Sequence, residues 1–194
     1  MSQHVPTGEK IPEPTAADVP LHAFPTVELS EEQFQRAREI AESRNQTYEP
    51  IDGGRVCGDQ TSGDVHLTGV VGEMAYAALT GNDVDESTYE YGDGGYDFES
   101  GSITIDTKTT QTHIDRPSLI VPIEPEPVAD LYFLLHRIDT RTVRVIGFAT
   151  YGTVTNHRPI RKPGDTLNYV VPQSELHLPP TLRVKIQDRL YSDV

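Results

Sequence analysis

Cysteine occurs once, at Cys57, so the chain can form no internal disulfide and no cysteine-based zinc cage. The seven histidines show neither an HExxH nor a His-x-His pairing, so histidine-rich metal chemistry is not indicated. No apolar run approaches the roughly 20 residues of a membrane helix, and the N-terminus lacks the apolar stretch of a signal peptide. These absences lead us to expect a soluble, cytoplasmic protein with no membrane partner. Internal repeats are also missing. Lysine is scarce, standing only at Lys10, Lys108, Lys162 and Lys185, against 30 aspartates and glutamates.

The 194 residues suffice for one α/β domain with a substantial core. The formal net charge is −14. Three readings of that charge stay open: the solvated acidic surface of a halophile, an ordinary acidic protein, and a mimic of DNA. For the first, a Debye length of only ~3 Å at molar salt would screen the self-repulsion. The charge argues against a simple basic nucleic-acid-binding domain. It leaves room for a DNA enzyme whose acids gather metal ions, because the metals then supply the positive charge.

Residues 1 to about 26 carry Pro6, Pro12, Pro14, Pro20 and Pro25 with little apolar content, and read as an arm that packs extended or stays disordered. A single domain is expected over 27–194. Ser30-Glu31-Glu32-Gln33 is a capping box, and Phe34, Ala37, Ile40 and Ala41 form one apolar stripe of a helix running to about Asn45. A glycine-rich loop follows over 50–63. A second helix is expected over 65–79, with a broad buried face of Leu67, Val70, Val71, Met74, Ala75, Ala78 and Leu79, and Gly81 as the residue ending it. Glu73 interrupts that face.

Strand signals come next, at Thr88–Tyr91, Tyr96–Glu99 and Ile103–Thr109, the last two joined by a turn at Ser100-Gly101-Ser102. Pro117, Pro122, Pro125 and Pro127 exclude a long regular helix. Leu131–Ile138 is nearly continuous in apolar residues, as in a strand covered on both faces. Thr142–Ala149 pairs with it through the turn Asp139-Thr140-Arg141. Tyr169–Val171 reads as a short strand, and Leu182, Val184 and Ile186 alternate like another.

Four residues carry chemistry in this pattern: Glu73, Asp97, Asp106 and Lys108. Residues two apart on a strand share a face, so Asp106 and Lys108 point the same way. Asp97 falls on the neighbouring antiparallel strand. Two such carboxylates can share one Mg²⁺ (or Mn²⁺), an ion that takes oxygen ligands and keeps several waters. The carbonyl of Thr107 could complete the protein's share. Lys108 is placed to position or deprotonate an attacking water, or to neutralise charge on a phosphate. Glu73 could bind a second metal or orient water. Each residue also has a plainer reading. Asp-x-Lys is a common surface ion pair worth about 0–1 kcal/mol. Asp97 could be a turn acid, and Glu73 could sit on a helix edge. Thr109, Thr110 and Gln111 continue past the lysine as candidate DNA contacts or ordinary strand positions. Arg116, Arg158 and Arg161 are candidate backbone contacts or ordinary surface charges. Gly92-Asp93-Gly94-Gly95 lacks the spacing of a phosphate-binding loop and turns the chain toward Asp97.

In this ordered set the chain resembles the PD-(D/E)XK nuclease superfamily, the restriction-endonuclease-like fold. The matching pieces are Gly69-Val70-Val71-Gly72-Glu73, Gly95-Tyr96-Asp97-Phe98 and Ile105-Asp106-Thr107-Lys108-Thr109-Thr110. Asp130–Ile138, Val143–Thr150 and Asn168-Tyr169-Val170-Val171-Pro172 resemble the later segments of small nucleases of viruses and mobile elements. The likeness covers about residues 65–175. It implies an α/β fold with a central mixed sheet flanked by helices, and Mg²⁺-dependent hydrolysis of DNA phosphodiester bonds. Asp97 and Asp106 would be metal ligands, Lys108 the catalytic lysine and Glu73 the helix acid. Tyr96 stands where the motif is named for proline, Asp106 where glutamate is commoner, and the helix expected between the third and fourth core strands is replaced by a proline-rich stretch. Two rival readings share the fold: a junction resolvase acting on branched DNA, for which a homodimer is expected, and a non-catalytic binding or DNA-mimic protein.

Overall fold

The computed structural model describes residues 13–47, 62–84, 94–111, 115–161 and 166–179. Helix α1 (Glu31–Thr47) starts where the capping box places it. Gln33 N–H donates to Ser30 Oγ at 3.1 Å, and Ser30 N–H donates to Gln33 Oε1 at 2.8 Å, so two N-terminal donors are satisfied reciprocally. Phe34, Ala37, Ile40 and Ala41 are all buried. Helix α2 (Ser62–Thr80) starts three residues earlier than its apolar pattern suggests and ends at Gly81. There φ is +78°, a conformation that glycine adopts without a Cβ clash, and the Gly81 N–H donates back to Ala77 O at 2.8 Å. Val70, Val71, Ala75 and Ala77 make the buried face, whereas Ala78 and Leu79 are exposed.

The main sheet has five strands in the order β1-β6-β5-β3-β2. These are β1 (Thr26–Glu28), β2 (Phe98–Ser100), β3 (Ile103–Thr110), β5 (Leu131–Arg137) and β6 (Thr142–Thr150). It is a mixed sheet: β3 and β5 run parallel, and the other neighbours are antiparallel. The β2–β3 hairpin turns at Gly101, with φ +65°. The β5–β6 turn is held by Asp139 Oδ1, which accepts the N–H groups of Arg141 and Thr142 at 2.9 Å each. The described residues of the crossover from β3 to β5 contain no long helix. The crossover carries instead β4 (Leu119–Pro122), which joins β8 (Leu167–Val171) and β7 (Ile160–Arg161) in a second sheet, ordered β4-β8-β7.

Strand β5 is covered on both sides, as its unbroken apolar run requires. Phe133 and Leu135 enter one core with α1 and α2, and Tyr132 and Leu134 enter another. The second core takes Leu119 and Val121 of β4, Val171 of β8, and Val154 of the short helix α3 (Tyr151–Thr155). It also takes Ala16, Val19 and Phe24, so residues 13–25 of the proline-rich arm pack here, with two single turns of 3₁₀ helix. Strand β1 then adds itself to the sheet edge beside β6. The strand signals at Thr88–Tyr91 and at Leu182–Ile186, and the loop at 50–61, lie outside the described residues. Among the described residues no helix is long and apolar enough to cross a membrane.

Candidate metal centre

Strand β3 divides its side chains between the two faces of the sheet. Ile105 packs with α2 in the first core, and Thr109 meets the same helix at Gly72. Asp106 and Lys108 therefore face the other way, toward the second sheet. Their register partners on β5, Tyr132 and Leu134, belong to the core on that side. The Lys108 ammonium sits on both oxygens of Asp106, 2.8 Å from Oδ1 and 2.6 Å from Oδ2. The Asp106 side chain is only 9% exposed, and Lys108 is 34% exposed. A charge-assisted contact of this kind offsets the cost of burying the carboxylate.

Asp97 arrives from the residue before β2. Its N–H donates to Ile105 O at 2.9 Å, extending the hairpin ladder by one bond. The turn before it needs glycine: Gly95 has φ +81°, and a Cβ there would lie 2.7 Å from Val128 Cγ2 of the crossover. Asp97 Oδ2 accepts from both the N–H and the hydroxyl of Thr107, at 2.6 Å each. Thr107 thus enters the site through its amide and hydroxyl.

Asp97, Asp106 and Lys108 line one cavity of about 170 Å³ between the two sheets. Tyr96, Tyr132, Val121, Pro122, Pro125, Glu126 and Pro127 complete its wall. Tyr132 is buried, and its hydroxyl accepts the Ala129 N–H at 3.0 Å. Burial is the main force pushing that phenol up to about 12; the Ala129 bond opposes it, and the negative charge of Asp106 reinforces it. Asp130 pins the end of the crossover. Its Oδ2 accepts the N–H and hydroxyl of Thr104 at 2.9 and 3.0 Å, and these bonds hold its pKa below the usual carboxylate range.

Glu73 is not brought to this cavity. It projects from α2 toward α1, where Arg44 Nη1 and Nη2 donate to its two oxygens at 2.8 and 3.0 Å. Thr109 turns inward against α2, and Gln111 Oε1 accepts from the Thr68 hydroxyl at 3.3 Å. Thr110 alternates onto the face of Asp106 and Lys108. Arg116, Arg158 and Arg161 are exposed and outside the cavity wall, and Arg116 donates to Ala17 O at 2.7 Å.

Three polar wall residues, Tyr96, Glu126 and Tyr132, went unread in the sequence as site members. Glu126 had a signal, an acid fixed between two prolines. Tyr96 stood in view only as a motif substitution. Tyr132 had no signal, lying within an apolar strand.

The donors suit a hard cation. Three carboxylates, of Asp97, Asp106 and Glu126, line one small cavity with room for on the order of five waters at ~30 Å³ each. Among the described residues no group of three His, Cys, Asp or Glu is close enough to cage a metal. An ion held here would therefore keep much of its water, as Mg²⁺ does. No family model, curated protein or solved structure matches this chain.

Proposed function

We propose that the protein is a Mg²⁺- or Mn²⁺-dependent deoxyribonuclease of the restriction-endonuclease-like fold. The observation that carries this reading is the convergence of Asp97, Asp106 and Lys108 on one cavity. The β2–β3 hairpin and the parallel β3–β5 pair are consistent with that fold.

Asp97 and Asp106 would hold the ion. When bound, it supplies a water of lowered pKa and positive charge beside the phosphate. Thr107 orients Asp97 through two donors. Lys108, paired with Asp106, already lines the cavity. With the ion on Asp106, its ammonium would turn to a non-bridging phosphate oxygen, or hold the attacking water in line. The water oxygen would bond to phosphorus and release a proton to solvent, while the bond to the leaving alkoxide breaks and that alkoxide takes a proton from solvent. Tyr132, with its high pKa, remains a neutral wall. Mg²⁺-dependent cutting of DNA that Lys108→Ala abolishes is the test.

One observation favours a non-catalytic reading. Lys108 already satisfies Asp106 at 2.6 Å, so the pair is electrostatically complete without metal. Calorimetry separates the two readings: absent Mg²⁺ and Mn²⁺ binding, with tight binding to a basic protein, would favour a binder.

A further inference from the structure

The shape of the cavity and the distribution of cations bear on which DNA the site would take. Proteins that hold duplex DNA draw much of their affinity from several lysine and arginine contacts to phosphates. Among the described residues Lys108 is the one cation in the cavity wall. Other arginines are engaged elsewhere: Arg36 with Glu39, Arg44 with Glu73, and Arg141 with Glu28 and Glu31. Arg137 is buried beside Phe34 and donates to Thr68 and to two backbone carbonyls. Arg116, Arg158 and Arg161 are exposed but stand outside the cavity wall, and the net charge of −14 opposes long-range attraction of a duplex.

The cavity offers a different source of affinity. Apart from Lys108 and the carboxylates of Asp97, Asp106 and Glu126, its wall is aromatic and proline-rich. Tyr96 is half-buried, packed on the second core while lining the cavity, so its position is set before a ligand arrives. The crossover reinforces this by closing Val128 onto Gly95. Tyr132 offers no such platform, since it is 1% exposed and its hydroxyl is committed to Ala129. Stacking on a tyrosine needs an unpaired base, which a duplex interior does not present.

We infer that the site takes single-stranded DNA, with one base stacked on Tyr96 against the prolines and the adjoining phosphate at Lys108. This inference rests on the nuclease reading. The test is fluorescence anisotropy with labelled oligothymidylate and a duplex of equal length, on the wild-type protein with Ca²⁺ in place of Mg²⁺ so that nothing is cut. The single strand should bind at least ~10-fold tighter. Tyr96→Ala should weaken single-strand binding about 5- to 150-fold, with Tyr96→Phe within about 2-fold of the parent. Should Tyr96→Ala fail to fold, Tyr96→Leu keeps the packing and loses the aromatic face. Equal or tighter duplex binding, or a folded Tyr96→Ala or Tyr96→Leu that binds like the parent, overturns the inference. A parallel cleavage assay of the wild type keeps the two readings apart. Preferential cutting of duplex sinks this inference and leaves the nuclease standing, whereas single-strand binding through Tyr96 with no cutting sinks only the nuclease.

Discussion

Asp97 Oδ2 accepts two hydrogen bonds from one residue, the backbone N–H and the hydroxyl of Thr107, each at 2.6 Å. A carboxylate fixed this way presents its remaining lone pairs in a set direction, as partners of metal ligands generally do. Thr107→Val keeps the backbone donor and the branched shape but deletes the hydroxyl. Mn²⁺ affinity by calorimetry should fall about 10- to 100-fold, with Thr107→Ser near wild type. Identical affinities in all three proteins would show that Thr107 does not orient a metal ligand.

Glu73 should matter for stability and not for catalysis. Removing its side chain leaves the Arg44 guanidinium, 22% exposed, without its bidentate partner. Glu73→Ala should cost about 1–3 kcal/mol in chemical denaturation and leave the cleavage rate unchanged. Lost cleavage at unchanged stability would return Glu73 to the site.

Gly72 lets α2 approach the strand that carries the site. A methyl group there would run into Thr109 Oγ1 and stand 2.9 Å from Thr109 Cβ. Gly72→Ala should cost about 1–3 kcal/mol through overpacking. Adding Thr109→Ala should recover part of that loss. A Gly72→Ala protein as stable as wild type would mean that helix and strand separate easily.

Tyr132→Phe should act in two ways. The Ala129 N–H, on a fully buried residue, loses its acceptor, which costs about 1–3 kcal/mol. The second effect depends on pH. The folded phenol titrates at about 12 against 10.0 ordinarily, so the unfolded chain gives up this proton first. Wild-type stability therefore falls as pH rises from 10 toward 12, and the variant lacks that loss. Denaturation curves at pH 8 and above pH 10 should show the gap between the two proteins narrowing. A constant gap would contradict the buried phenol.

Much of the fold was legible because its signals are local. The Ser30–Gln33 capping box, the Gly81 stop, the Gly101 hairpin and the apolar run of β5 each specify an element by short-range chemistry. Of the second sheet only β8 was legible, through Tyr169–Val171. Strand β4 lies among prolines, and β7 has two residues, so each gains its meaning only from pairing with β8. The packing of the arm at Ala16, Val19 and Phe24 was equally hidden, since three apolar residues among prolines carry no period. At the site, the spacing of Asp106 and Lys108 gave their shared face, and the hairpin gave the approach of Asp97. The partner of Glu73 was not legible, because Arg44 lies 29 residues away on another helix. Glu126 enters the wall through the crossover, whose path no local pattern records.

The most direct test is a DNA cleavage assay with purified protein, Mg²⁺ and matched variants of confirmed fold. The account predicts cutting that depends on Mg²⁺ or Mn²⁺, vanishes with chelator, and is lost in Asp97→Asn, Asp106→Asn and Lys108→Ala but kept in Glu73→Ala. Cleavage by Lys108→Ala or Asp106→Asn at the wild-type rate, or no metal-dependent cutting of single- or double-stranded DNA by the wild type, would contradict it.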